Sequence, residues 1–269
     1  MSEETFSQLE REGWQRNASE YDSIDLPATR QAFAPLLDSV GDMHAGRILE
    51  IASGTGHLAA DAVARGATLV GIDVAPNMVA IARRRVPDAT FHEGDAESLP
   101  FADKQFDAVM CCFGVPHFAR PAQAFSEAGR VLKPGGILAF TAWNAPEQGN
   151  EFFGIILKTF QTYANMDVGL PPAPAMFALA DSSVRDPMLT QNGFREIRAR
   201  NIAIVWPVDG PDSTYQMLVR GAVRTRMIYE RQTAQVQQRI RDELAAATAP
   251  YVKSGGIPAP AVVVTAIKA

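Results

Sequence analysis

The residues with the clearest chemical potential are two acids and the small-residue turn between them. A run of apolar residues contains Glu50 and passes into the turn Ala52–Gly56, where a helix is expected to begin. Asp73 ends a second apolar run, 19 residues after Gly54. Glycines let the backbone approach a ligand closely, and the first turn of a helix offers free N–H groups. Because an acid at the end of the second strand can accept hydrogen bonds from ribose hydroxyls, this pattern predicts a nucleoside-binding site.

Two cofactors compete for this site. Gly54-x-Gly56-x-x-Ala59 also fits the dinucleotide fingerprint, so an NAD(P)-dependent oxidoreductase is one alternative. Glu50 argues against it, because a carboxylate there would repel a pyrophosphate but attract the ammonium and sulfonium groups of S-adenosylmethionine. Like charges about 4 Å apart cost about 4 kcal/mol at an effective dielectric constant near 20. The sequence therefore favours S-adenosylmethionine and methyl transfer, and a non-catalytic module that binds this cofactor is a further alternative.

These residues must be positioned by alternating strands and helices. Between residues 47 and 143 short apolar runs alternate with helix-period stretches, which predicts an α/β fold with a Rossmann-like, doubly wound sheet. The predicted strands are Arg47–Ala52, Thr68–Asp73, Thr90–Glu93, Phe106–Cys112 and Gly136–Trp143, followed later by Phe194–Val205 and Ala261–Ile267. The predicted helices are 29–42, His57–Arg65, Asn77–Arg85, Pro121–Leu132 and 181–192, with helical spacing again over 213–247.

Five segments in order resemble the motifs of the class I S-adenosylmethionine-dependent methyltransferases. The resemblance is to the type 11 group, which includes the ubiquinone and menaquinone C-methyltransferases, and it covers about residues 45–143. It implies a seven-stranded sheet whose last strand is antiparallel, and methyl transfer to a small, partly apolar molecule. The segments are Glu50–Gly56, Gly71–Met78, Glu93–Glu97 with Leu99–Phe101, Phe106–Val109 and Leu132–Gly136.

The resemblance also implies which positions contact the cofactor. Glu50 and the turn would hold the methionyl end, Asp73 the ribose, and Asp95 the adenine amino group. Trp14 and Tyr21 would cover the site from a leading segment. The implied cofactor contacts are Tyr21, Glu50, Ala52, Ser53, Gly54, Thr55, Gly56, Asp73, Val74, Met78, Asp95, Ala96, Cys112 and Phe113.

The chain departs from the pattern of this group at two places. Ala52 stands where the family usually has its first glycine, so its methyl group is expected to crowd the cofactor. The quinone-methylating enzymes also carry an Arg-Asn pair where this chain has Pro116-His117. The family assignment is compatible with both departures, whereas a quinone acceptor is not expected.

Methyl transfer from a sulfonium needs a base only if the acceptor must lose a proton. His117 is the predicted base, and a packing role at the rim is the competing interpretation. The adjacent Cys111 and Cys112 cannot form a disulfide framework or a CxxC metal site, so we expect buried thiols, no metal and a reducing cytoplasm. Arg220, Arg224 and Arg226 belong either to a solvated helix face or to a site for an anionic substrate.

Composition and segmentation complete the expectations. The net charge of −5 argues against a nucleic-acid partner, and no apolar run is long enough to span a membrane, so the expected partner is a small-molecule methyl acceptor. The apolar residues Phe152, Phe153, Ile155, Ile156 and Met176 are candidate pocket walls. The expected segments are an N-terminal helical cover (1–44), the cofactor-binding core (45–143), a lid or substrate insert (144–180), a continuation of the core (181–206), a helical cap (207–255) and a closing strand (256–269).

Overall fold

The strands form one large and one small sheet in the computed structural model, which describes residues 5–269. Residues 1–4 of the expected N-terminal cover lie outside this range. In chain order the strands are β1 (Arg47–Ile51), β2 (Thr68–Asp73), β3 (Thr90–Glu93), β4 (Phe106–Cys111), β5 (Leu132–Trp143), β6 (Phe194–Ile202), β7 (Val205–Pro207), β8 (Gly256–Pro258) and β9 (Ala261–Lys268).

The large sheet has the strand order β3-β2-β1-β4-β5-β9-β6. Strands β1 to β5 run parallel, and β9 is antiparallel to both of its neighbours, β5 and β6. The predicted seven-stranded, doubly wound sheet with an antiparallel last strand is therefore confirmed. The order reverses between β1 and β4, and open α/β sheets bind ligands at the carboxyl edge beside such a reversal.

The central parallel strands are largely apolar because helices cover both faces of the sheet, whereas the edge strand β6 is mostly exposed and carries charged residues. In β1, Ile48, Leu49 and Ile51 are all at most 1% exposed, although their side chains alternate between the two faces. Ile48 packs into the core on one face, and Leu49 packs into the core on the other. Burial on both faces fixes the sheet rigidly and leaves its edge free to carry polar residues.

Twelve α-helices lie within the described part of the chain. They are α1 (Phe6–Asn17), α2 (Tyr21–Ile24), α3 (Leu26–Thr29), α4 (Phe33–Val40), α5 (His57–Ala64), α6 (Pro76–Arg85), α7 (Pro121–Val131), α8 (Glu151–Tyr163), α9 (Ser182–Gln191), α10 (Ser213–Arg220), α11 (Arg224–Glu230) and α12 (Ala234–Thr248). No helix among residues 5–269 is both long enough and apolar enough to cross a membrane.

The helices before β1 and the helices after β7 meet above the carboxyl edge of the sheet. Asn17 at the end of α1 donates a hydrogen bond from Nδ2 to the carbonyl oxygen of Gly221 (2.7 Å), just after α10. Glu20 forms an ion pair with Arg220 in the same region. The N-terminal helices and the helices after β7 therefore form a common roof over one edge of the sheet.

Several predicted boundaries differ from the structure. The predicted helix 29–42 is divided into the end of α3, a 3₁₀ turn over Arg30–Ala32 and α4, which ends at Val40 because Gly41 has a positive φ of 85°. The pattern over 213–247 is divided into three helices, because the chain turns after Arg220 and again before the N-cap residue Thr233. The predicted strand Phe194–Val205 ends at Ile202, and Val205 begins β7, which pairs with β8 outside the large sheet. Strand β5 begins at Leu132 rather than at the predicted Gly136, since Phe106 already pairs with Leu132.

Candidate cofactor and acceptor site

The turn after β1 is tied to the end of β2 through Asp73. Its Oδ2 accepts a hydrogen bond from the Gly54 N–H (2.8 Å), and its Oδ1 accepts one from the Ala75 N–H (2.9 Å). Burial raises the pKa of Asp73, and these two donors oppose that rise. One carboxylate therefore fixes two loops at the sheet edge while lying in the wall of a cavity.

Glu50 is a buried acid that lacks a hydrogen-bond partner. It is 2% exposed, and among residues 5–269 nothing donates to its Oε2. Burial raises the pKa of Glu50 well above its ordinary value, and the nearby Asp73 carboxylate raises it further. An unpaired buried acid is stabilised when a cation approaches it. The site therefore fits the ammonium and sulfonium groups of S-adenosylmethionine better than it fits a pyrophosphate.

Ala52, expected to crowd the cofactor, is accommodated by a glycine on the neighbouring loop. Ala52 adopts a φ of 54°, a conformation that residues with a side chain rarely adopt. A Cβ added to Gly114 would lie 2.5 Å from the Ala52 Cβ. Since Gly114 has an ordinary φ of −78°, its glycine is needed for space rather than for backbone freedom. The methyl group of Ala52 therefore occupies room that a side chain at position 114 would fill.

A cavity of about 400 Å³ lies above this edge. It brings together most of the predicted cofactor residues and the predicted base. Those in its wall are Tyr21, Ala52, Gly54, Asp73, Val74, Met78, Asp95, Ala96, Cys112, Phe113 and His117. Glu50, Ser53, Thr55 and Gly56 are not in the wall but lie in or next to the turn that shapes it.

The N-terminal helices cover the cavity. Trp14 and Tyr21 both line it, and their rings meet edge to face with centroids 6.3 Å apart. Asp22 anchors this segment to the cofactor turn, because its Oδ1 accepts a hydrogen bond from the Thr55 hydroxyl (2.8 Å) and its carboxylate pairs with Arg85. The cover that the sequence predicted thus lies against the turn it was expected to close.

The far side of the cavity is an aromatic chamber. Phe113 stacks on Trp143, with ring centroids 3.9 Å apart, and has a strained φ of 56°. Phe153, Ile156 and Met176, which the sequence nominated, are in the chamber wall. Phe152 and Ile155 are not in the wall, since Phe152 is fully buried behind it and stacks on Trp206. The remaining large apolar members include Phe160 from the insert, Trp206 from the continuation of the core, and Met217, Leu218 and Ile228 from the cap.

A polar wall faces this chamber. His117 Nδ1 lies 2.8 Å from Glu10 Oε2, and the same carboxylate oxygen accepts a hydrogen bond from Trp14 Nε1 (3.1 Å). While this contact persists, only Nε2 of His117 is free to act as a base. Arg224 also lines the cavity and donates to the carbonyl oxygen of Pro171 (2.8 Å). Of the three late arginines, it alone lies in this wall, as Arg220 and Arg226 pair with Glu20 and Glu230.

The two adjacent thiols are structural, and only Cys112 lines the cavity. Cys111 is fully buried, and Cys112 accepts a hydrogen bond from the Thr141 hydroxyl (3.7 Å). Burial raises the pKa of Cys112 to about 12. The thiolate needed for nucleophilic attack is therefore scarce at neutral pH.

Sequence reasoning missed Glu10, Asp25 and Thr29, which all line the cavity. None of them belongs to a motif, and each reaches the site only because α1 to α3 fold back over the sheet. The one local signal was at Asp25, whose position before Leu26-Pro27 is typical of a helix N-cap. That signal points to a capping role, which its side chain does not perform.

Comparison with known proteins agrees with this geometry. Residues 49–140 match a family model described as a methyltransferase domain. A demethylmenaquinone methyltransferase of Beutenbergia cavernae is 34% identical over 191 residues, which cover 67% of this chain and 79% of that protein.

Solved structures share the fold. The YcgJ protein of Bacillus subtilis has a TM-score of 0.58 at 20% identity, covering 89% of this chain and 98% of that one. A Haemonchus contortus phosphoethanolamine N-methyltransferase, solved with S-adenosylhomocysteine, has a TM-score of 0.54 at 21% identity, covering 88% and 52%. The family match and the Beutenbergia relative confirm the predicted activity, S-adenosylmethionine-dependent methyl transfer to a small, partly apolar molecule. The chain belongs to the class I S-adenosylmethionine-dependent methyltransferases, in the type 11 group that includes the menaquinone and ubiquinone enzymes.

Proposed function

We propose that the chain methylates a small molecule built on a flat, apolar ring. The observation that carries this proposal is the continuity of the cavity, whose wall holds both Asp73 at the cofactor edge and Trp143 in the aromatic chamber. Phe153 and Trp206 line the same chamber, with Phe153 edge to face against Trp206 at 6.3 Å between centroids. Rings of this kind favour an aromatic guest through offset or edge-to-face contacts.

For the cofactor, we propose that S-adenosylmethionine lies along the strand ends. Glu50 and the backbone of Ala52–Gly56 would hold the methionyl end, Asp73 the ribose, and Asp95 the adenine amino group. Met78 is 2% exposed and lines the cavity, which suits packing against the adenine ring. The methyl group would then point toward the Cys112–Phe113 backbone and the aromatic chamber.

The acceptor we propose differs from that of the relatives. The Beutenbergia relative is named for demethylmenaquinone, which agrees in kind with an aromatic-walled chamber. This chain has Pro116-His117 where the quinone-methylating enzymes carry Arg-Asn, and His117 is held by Glu10. We therefore propose a ring compound other than that quinone.

For the location, the proposal is the cytoplasm, where a reducing medium keeps the two adjacent thiols free.

The test has two steps. Calorimetric titration with S-adenosylmethionine, S-adenosylhomocysteine and NAD identifies the cofactor, and we expect the first two to bind with micromolar affinity. Release of S-adenosylhomocysteine is then measured with hydroxylated one- and two-ring aromatic compounds, a demethylmenaquinone analogue and small aliphatic amines. Turnover confined to the aromatic compounds supports the proposal. Turnover of the aliphatic amines alone, or no turnover of any acceptor despite cofactor binding, would overturn it.

A further inference from the structure

Asp25 is the most unusual polar residue in the cavity wall. It lies between α2 and α3, is 7% exposed, and contributes to the lining. Among residues 5–269, no group donates a hydrogen bond to its Oδ2, and no cation lies within 4.0 Å of its carboxylate. A buried carboxylate normally has such partners, because burying an unpaired charge is costly. The Asp25 carboxylate therefore either binds a ligand in the cavity or destabilises the fold with no compensating role.

Its position rules out the usual structural role. Asp25 precedes α3, where an aspartate side chain commonly caps the free N–H groups of the first turn. Here the side chain makes no capping hydrogen bond, and only the backbone carbonyl of Asp25 accepts from Ala28 and Thr29. The carboxylate is turned away from its own helix, and its residue lines the cavity.

The opposite wall leaves room for this carboxylate. A Cβ added to Gly221, just after α10, would lie 2.8 Å from Asp25 Oδ1, 2.9 Å from Asp25 Oδ2 and 2.8 Å from Ile24 Cγ2. Gly221 has a φ of −104°, which any residue adopts, so the glycine is needed for space. The roof of the cavity is therefore shaped around the unpaired acid.

The charged and titratable groups around Asp25 are few. Tyr21 from α2 approaches it, with its hydroxyl 3.2 Å from the Thr29 hydroxyl. His117 from the loop after β4 faces it across the cavity and favours its charged form. Arg220, next to Gly221 on α10, pairs with Glu20 instead. Asp25 thus lies among groups that leave its oxygens free.

We propose that Asp25 binds a ring hydroxyl of the methyl acceptor and takes its proton during methyl transfer, an inference that rests on the proposed function. The O–H bond breaks and its proton passes to the Asp25 carboxylate. The acceptor oxygen forms a bond to the methyl carbon of S-adenosylmethionine, while the bond from that carbon to sulfur breaks and its electron pair stays on sulfur. The products are the methyl ether and S-adenosylhomocysteine, and the proton leaves Asp25 for water when the product is released.

The acidity of Asp25 suits this role. Burial raises its pKa from 3.8 to about 7, and the positive field of His117 opposes the rise. A base works best when its pKa is close to the operating pH. Since only the ionised carboxylate accepts the proton, kcat/KM with a neutral phenol is expected to rise with pH and to level off above about pH 7.

The decisive experiment compares two acceptors of one shape in Asp25→Asn. With a phenol that is neutral at pH 7.5, we expect kcat/KM to fall by about 10² to 10⁴, the usual contribution of a general base. With a nitro-substituted analogue that is already ionised at this pH, we expect a loss below about fivefold, since no proton remains to be taken. Equal losses with both acceptors would overturn the proposal and leave Asp25 a merely structural residue.

Two variants control this comparison. Asp212→Asn changes an exposed acid that pairs with Arg241 on the outside of the cap, and it should leave both acceptors unaffected. Glu10→Gln weakens the hold on His117. If Glu10→Gln gave the acceptor-dependent loss and Asp25→Asn did not, His117 would be the base instead. Titration with S-adenosylhomocysteine shows whether each variant still folds and binds the cofactor. Failure of the proposed function would have a different result, because the wild-type protein itself would then turn over no aromatic acceptor.

A stability measurement provides a readout besides activity. The pKa of Asp25 rises from 3.8 in the unfolded chain to about 7 in the folded state, so the folded state binds the proton more tightly. The free energy of unfolding therefore falls as the pH rises from about 4 through 7. Asp25→Asn removes the buried charge. We therefore expect its thermal midpoint to exceed that of the wild type at pH 8 and to approach it at pH 5. A variant less stable than the wild type at pH 8 would show that the charge has a partner and contradict the proposal.

Discussion

The two sides of the cavity are built in different ways. The cofactor side comes from neighbouring strand ends, since Asp73 is the last residue of β2 and Asp95 lies in the short loop directly after β3. The acceptor side draws on Trp143 at the end of β5, Trp206 in β7 and Ile228 in the cap, which meet only because segments distant in sequence fold together over the sheet. The first side is encoded locally and carries the family identity. The second depends on tertiary packing, and we expect it to determine which acceptor is used.

The strongest test of whether the cofactor and acceptor sides are independent is removal of a large buried side chain on the acceptor side. Trp206 is 6% exposed and stacks on Phe152, with ring centroids 4.1 Å apart and nearly parallel planes. Trp206→Ala should lower the free energy of unfolding by about 3–5 kcal/mol, as deletion of a buried aromatic ring commonly does. Denaturant unfolding measures this loss, and calorimetry at a temperature where the variant is folded should show cofactor affinity within about twofold of the wild type.

Val184→Ala is the control for that variant, because Val184 is 40% exposed on α9 and its removal should change the free energy of unfolding by less than about 0.5 kcal/mol. If folded Trp206→Ala lost cofactor binding, the two sides would not be separable.

The reverse test changes the cofactor side. In Asp73→Asn the amide can no longer accept from both backbone N–H groups and from ribose hydroxyls. We expect the free energy of cofactor binding to weaken by about 1.5–3 kcal/mol, the usual value for hydrogen bonds to a charged group. The change in the free energy of unfolding should be smaller than this. Titration with S-adenosylhomocysteine measures the loss.

The chain offers a matched control at the opposite edge of the sheet. Asp107 also accepts a hydrogen bond from a backbone N–H, that of Arg47 (2.9 Å), but it is the second residue of β4 and pairs with Lys133 away from the cavity wall. Asp107→Asn should leave cofactor affinity unchanged. Equal loss in both variants would mean that the measured effect is general destabilisation.

The smallest effect is expected where the N-terminal helices meet the cap, at the contact between Glu20 and Arg220 that we call the seam. Glu20 and Arg220 form an ion pair, and both side chains are about 40% exposed. Exposed pairs contribute about 0–1 kcal/mol, so Glu20→Gln should reduce stability by no more than this and change the acceptor KM by less than about twofold at 0.15 M salt.

Asp38→Asn is the reference for the seam, since it breaks a comparably exposed pair with Arg65 outside the roof. A much larger effect of Glu20→Gln on the acceptor KM would show that the seam controls access to the chamber. The cofactor and acceptor sides would then be linked through the N-terminal cover.

The same division explains how much could be predicted from the sequence. The strands, the cofactor turn and Asp73 follow from local patterns, because a buried parallel strand and the loop after it lie close together in sequence. Asp25 could not be predicted, since its function depends on an unsatisfied carboxylate that only the folded cavity reveals. His117 could be nominated, but its contact with Glu10 joins residues 107 positions apart.

The contact between Ala52 and Gly114 restricts the order in which this lineage could change. With alanine at position 52, any side chain at position 114 collides with its methyl group. With glycine at position 52, that obstacle is absent, but a Cβ at position 114 would still lie 2.7 Å from the Cys111 Sγ. A path to a larger residue at 114 therefore requires both loss of the Ala52 methyl group and a change at Cys111, so the three positions are epistatic. Sequences descended from a common ancestor should accordingly show alanine at 52 together with glycine at 114.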